Sequence, residues 1–169
     1  MNRASLMKLF FVPAVLVASA QASALEVGDQ APCVVLKDVQ PSGATVEQCI
    51  RTKEPGHAYV MLEFFSTTCG DCADNLPKLA KLAGEVAATT TTRMIGIDRN
   101  EAQIRTYVEG HRDLIQFPVA LDFERSATHV YGVEATPTIY ILNGTNQVIY
   151  KLVDVFNDEQ LSVIKSLVK

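Results

Sequence analysis

Cys69 and Cys72 are separated by two residues. They follow an apolar run, Tyr59-Val60-Met61-Leu62-Glu63-Phe64-Phe65, that reads as a strand buried on both faces. From about residue 69 to 86, Leu76, Leu79, Leu82, Ala83 and Val86 recur at helical spacing, so Cys69 opens a helix. The N–H groups and partial positive charge at such a terminus favour a thiolate there. Cys72, one turn further in, can close a disulfide with Cys69 or resolve a mixed disulfide formed on it. The same spacing also suits a structural disulfide or half of a zinc site, but zinc needs two more ligands at short spacing. Cys33 and Cys49 stand apart, and His57, His111 and His129 have no partner at ligand or catalytic spacing. No metal is therefore expected, and redox chemistry is the reading favoured between a buried strand and a helix.

The elements that must hold this motif alternate in type. Residues 34–37 and 44–46 are short strand-like pieces on either side of the turn signal Pro41-Ser42-Gly43. Pro77 should kink the helix that carries the cysteines. Residues 89–92 are a threonine run, expected to be an exposed connector, before a second buried strand at 94–97. Asn100 can cap a helix over 101–110 with Ile104, Tyr107 and Val108 facing inward. A short strand at 118–121 and a short helix at 127–131 follow. Residues 138–142 and 148–152 flank an Asn-Gly turn and read as a hairpin. Asn157 or Asp158 caps a last helix whose apolar side is Leu161, Ile164, Leu167 and Val168. This order indicates an α/β fold, a mixed sheet with helices on both faces.

The chain has 169 residues, 48% of them hydrophobic and 20% charged, which excludes disorder and leaves room for one domain. A net charge of −4 offers no basic surface for nucleic acid or an anionic membrane. Arg3 and Lys8 are the only charges before Glu26; an apolar run over 9–18 and then Ala22-Ser23-Ala24 follow. That pattern reads as a secretory signal over 1–24, removed on export. Its loss, with two cations, takes the charge from −4 to −6. An uncleaved anchor is the alternative, although a membrane span takes about 20 apolar residues. Export places the cysteines where disulfides persist.

Several segments together resemble the thioredoxin superfamily, in its TlpA/ResA-like branch of envelope-facing thiol–disulfide oxidoreductases. They are Val27-Gly28-Asp29-Gln30-Ala31-Pro32, Leu62-Glu63-Phe64-Phe65, Cys69-Gly70-Asp71-Cys72 with Pro77, and Ile95-Gly96-Ile97-Asp98. Phe117-Pro118-Val119 with Asp122, Tyr131-Gly132-Val133 and Ala135-Thr136-Pro137-Thr138 complete the set. The resemblance spans nearly all of 25–169. It implies a thioredoxin-like domain there, a mixed central sheet flanked by helices with an N-terminal β-hairpin extension. It implies that Cys69 attacks and Cys72 resolves. It makes Thr136–Pro137 a cis-proline loop that faces the cysteines and pairs with an extended substrate segment; without it, a trans proline opening a strand is the default. It also places Glu63 beneath Cys72, accepting its proton. A carboxylate inside an apolar strand is costly without a role or a partner, and desolvation raises its pKa. If the strand exposes the position instead, Glu63 is a surface acid.

Two departures from the family stand out. Thr68 precedes Cys69 where the family usually has Trp, and the chain has no Trp at all, which leaves substrate choice open. Asp71 sets a carboxylate beside the thiolate; less thiolate stabilisation means a less oxidising couple, so a reducing bias is expected. Asp71 reads equally as a solvated acid of the first helical turn. Cys33 and Cys49 lie near the outer ends of the first hairpin's strands, and the turn between them brings them together. A structural disulfide there is worth roughly 3 kcal/mol in the chain-entropy model. A second redox pair exchanging with Cys69–Cys72 is the alternative reading.

Other functions fit less well. A peroxiredoxin shares the opening segment and needs Ser or Thr three residues before its cysteine, which Ser66 supplies, but Leu62 stands where a proline is usual. A copper-delivery protein needs wider cysteine spacing and a facing His. A non-catalytic module has no need of both cysteines. The function expected is reduction or exchange of disulfides in envelope proteins, with cytochrome c maturation or general disulfide repair as the service. The protein is expected to act as a monomer, without cofactor, with electrons from an upstream thiol reductant, membrane-borne or another thiol protein.

Overall fold

The computed structural model describes residues 24–169, so the expected targeting segment lies, apart from Ala24, outside the described residues. In chain order the strands are β1 (Val35–Val39), β2 (Thr45–Cys49), β3 (Tyr59–Phe65), β4 (Thr90–Gly96), β5 (Val119–Leu121), β6 (Thr138–Leu142) and β7 (Val148–Val153). The helices are α1 (Gly70–Glu85), α2 (Glu101–Gly110), α3 (Ser126–Val130) and α4 (Asp158–Leu167). The apolar run of β3 takes the centre of a mixed sheet ordered β2-β1-β5-β4-β3-β6-β7. It pairs parallel with β4 and antiparallel with β6. β5 continues the parallel set beside β4, and β1 and β7 run antiparallel to β5 and β6.

Alternating side chains of β3 feed two cores, which explains its almost unbroken hydrophobicity. Met61 and Phe65 pack with Leu76, Leu79 and Leu82 of α1, Ile104 and Val108 of α2 and Ile164 of α4. Val60, Leu62 and Phe64 pack on the other face with Ala127 of α3, Tyr131 and Ile50. Helices thus cover both faces, as expected from the element order. Asn100 and Asn157 cap α2 and α4; Asn157 does so in a reciprocal capping box with Gln160.

Two expectations change. The threonine run is not an exposed connector: β4 starts at Thr90, and Thr90, Thr91 and Thr92 are buried. β-Branched threonine suits a pleated strand, and its hydroxyl can be satisfied inside. Thr91 Oγ1 accepts from the Glu54 amide at 2.8 Å and lies 2.9 Å from His57 Nδ1. Leu167 ends α4 at the rim, exposed, while Ile164 and Val168 are buried. The expected N-terminal hairpin is present, and β1 pairs with β5 so that it extends the central sheet. Buried Arg93 of β4 reaches across to buried Asp38 of β1, Nε to Oδ2 2.7 Å. Its Nη1 also donates to the carbonyls of Ile50 and Thr52, just after β2.

Candidate active site

The turn from β3 into α1 is pinned from the neighbouring strand. Asp98, two residues after β4, accepts from Ser66 Oγ at 2.8 Å and from the Thr67 amide at 2.9 Å. That bracing delivers Cys69 to the N-cap of α1 in an extended conformation, φ −85° and ψ 115°. Its Sγ accepts a hydrogen bond from the Cys72 amide at 3.1 Å, so the sulfur occupies the place where a helix terminus favours negative charge. Cys69 and Cys72 are joined as a disulfide, with Cα atoms 5.2 Å apart. Cys69 is part-exposed and Cys72 is buried, the asymmetry expected of an attacking and a resolving sulfur.

The Thr136–Pro137 peptide is cis. The Thr136 carbonyl oxygen lies 3.3 Å from Cys69 Sγ, so this loop and the cysteines form one surface. Thr138 Oγ1 closes the loop by donating to the Ala135 carbonyl at 2.7 Å.

Glu63 is not a surface acid; it is 1% exposed. The strand alternation sets it between Met61 and Phe65, on the face that α1 covers. Burial pushes its carboxyl up to about 7, against the opposing effect of a hydrogen bond from Asn75. Asn75 Nδ2 donates to Oε1 at 3.1 Å, while Oε2 is buried without a partner. Asn75 escapes a reading of the sequence. Its one signal is an amide on the apolar stripe of α1, beside Leu76 and one turn from Leu79, where an unsatisfied side chain is costly.

Cys33 and Cys49 are also disulfide-bonded, Cα to Cα 5.4 Å, across the mouth of the first hairpin. β1, β5 and β4 separate β2 from β3, about 19 Å at the usual strand spacing, so the structure does not bring the two pairs together. The histidines serve elsewhere. His57 meets Thr91, His111 ends α2 with Nδ1 2.8 Å from the Tyr107 carbonyl, and His129 lies in α3. Among the described residues, no cluster of His, Cys, Asp and Glu is placed to hold a metal ion, and no helix is long and apolar enough to cross a membrane.

Known proteins share this fold. Residues 27–151 match the model of the AhpC/TSA family. The thiol–disulfide oxidoreductase ResA of Halalkalibacterium halodurans is 26% identical over 130 residues, 77% of this chain and 70% of ResA. Among solved structures, the thioredoxin domain of a thiol–disulfide oxidoreductase from Bacteroides vulgatus superposes with a TM-score of 0.70 at 19% identity, over 86% of this chain and 100% of that one. AhpC of Mycobacterium tuberculosis reaches 0.69 at 21% identity, over 85% and 93% of the two chains. The two scores are nearly equal, so the shared fold does not discriminate between chemistries; the cysteine pair and its surroundings do.

Proposed function

Because the chain belongs to the AhpC/TSA family and is a ResA-like thiol–disulfide oxidoreductase of thioredoxin fold, we propose that it is exported and reduces or exchanges disulfides of cell-envelope proteins. The carrying observation is the Cys69 sulfur at the N-cap of α1, bonded to the Cys72 amide and 3.3 Å from the Thr136 carbonyl. In the reducing direction, the Cys69 thiolate attacks a substrate disulfide and releases one substrate thiolate, leaving a mixed disulfide. Cys72 gives its proton to Glu63, attacks Cys69 and releases the second substrate thiolate. The cis-Pro137 loop offers backbone groups to an extended substrate strand. Asp71 beside the thiolate supports a reducing bias. The Cys33–Cys49 bridge is structural, distant from the reacting pair. Electrons come from an upstream thiol reductant, membrane-borne or soluble, with no bound cofactor, and the protein works as a monomer. The service is cytochrome c maturation or disulfide repair.

Replacing Cys72 with Ser should arrest the cycle at the mixed disulfide, so that substrate proteins are trapped on Cys69 in extracts of the cell envelope. Absence of any Cys69-linked species, with the reduced native protein also inert toward a model disulfide, would sink the proposal. The peroxiredoxin alternative draws on the opening segment and on Ser66, but the Ser66 hydroxyl is committed to Asp98. Peroxide turnover by the reduced protein would revive it.

A further inference from the structure

The strongest unassigned feature is a buried amide between two parts of the site. Asn75 is fully buried in α1, one helical turn after Cys72. Its Oδ1 accepts from the backbone amide of Phe156 at 2.9 Å, in the segment that leads into α4. A backbone N–H can only donate, so the amide cannot flip, and Nδ2 must face Glu63. Oε1 of Glu63 is thereby occupied at 3.1 Å, and Oε2 alone is free. Residues three apart on a helix are neighbours, so Cys72 shares the stripe from which Asn75 reaches Glu63.

We infer that Asn75 is a positioning residue that commits one oxygen of Glu63 and leaves Oε2 as the atom that takes the Cys72 proton. The inference rests on the proposed role of Glu63 and deepens it. The step balances: the Cys72 proton passes to Oε2, the new thiolate forms a bond to the Cys69 sulfur, and the substrate sulfur leaves with the electron pair of the broken S–S bond. Glu63 then returns its proton to solvent. As a donor to the carboxylate, Asn75 also keeps Glu63 ionised at lower pH than burial alone allows. The other groups facing Glu63 do not supply this. Tyr107 of α2 is half-buried and its phenol is itself pushed up by burial and by the charge of Glu63. The cross-strand neighbours Met94 and Ile139 carry no charge.

The test follows Cys72 as it displaces thionitrobenzoate from a mixed disulfide preformed on Cys69, with the chromophore read across pH. This leaving group needs no proton, so the profile reports the acceptor. In the native protein the rate should rise with a midpoint near 7, and Glu63→Gln should abolish that rise. Asn75→Ala should move the midpoint up by about one pH unit and slow the step about tenfold below it, with the alkaline plateau retained. Lys78→Met removes the bond from Lys78 Nζ to the Phe156 carbonyl, which anchors the same segment without touching Glu63, and should leave the midpoint unmoved. An unmoved midpoint in Asn75→Ala, or an equal shift in Lys78→Met, overturns the inference while leaving Glu63 in place. An unaltered profile in Glu63→Gln overturns the reading of Glu63 itself. If Asn75→Ala does not fold, the native side chain decides: the Asn75 Nδ2 resonance should titrate with the Glu63 midpoint, and a flat response overturns the inference.

Discussion

Glu63 makes the stability of the fold depend on pH. Its carboxyl ionises at about 7 in the fold against 4.5 in the unfolded chain. Below the lower value both states hold the proton and the fold keeps its full stability. Between the two values only the folded state holds it, so stability falls as pH rises, and above 7 the loss is complete at about 3 kcal/mol. The Glu63→Gln variant lacks this slope. Its stability advantage over the native protein, measured by denaturant unfolding with the cysteines oxidised, should grow by about that amount from pH 4 to pH 8. A constant difference across this range would contradict the buried, neutral carboxyl. Cys69, Cys72 and Glu63 were legible because their types stand out against their surroundings: paired thiols at a strand–helix junction, one acid in an apolar run. Asn75 was not, because the partner that fixes its orientation, Phe156, lies 81 residues away.

Among elements, those with local signals were read correctly. An asparagine cap starts α2, another starts α4, and an Asn-Gly turn joins β6 to β7. The start of β4 was hidden because a run of hydroxyl side chains resembles a loop in composition, and only its pairing with β3 places those residues in the sheet. The seat of α2 on β4 depends on a missing side chain. A methyl group on Gly96 would stand 2.7 Å from Ile104 Cγ2, closer than carbon atoms pack. Gly96→Ala should therefore lift α2 and cost about 1–3 kcal/mol in urea unfolding. Made in the same chain, Ile104→Ala should cost less than it does alone, because the two changes share one contact. Strict additivity would place the strain elsewhere.

At the scale of the whole molecule, the layered α/β plan was legible from element order, whereas the place of the N-terminal hairpin within the sheet was not. No local pattern announces that β1 pairs with β5, or that Arg93 and Asp38, 55 residues apart, meet inside. Removing one partner leaves a buried charge uncompensated, so Asp38→Ala should lower unfolding stability by about 3–5 kcal/mol. A loss below 1 kcal/mol would mean the pair contributes little. Arg93 also holds the carbonyls of Ile50 and Thr52, so β1 and the segment after β2 converge on one guanidinium. The first hairpin therefore cannot be exchanged as a cassette between relatives. A chimera that imports another protein's opening segment must bring its own counter-ion for this arginine, or lose the arginine too, and lineages that trade one should trade both.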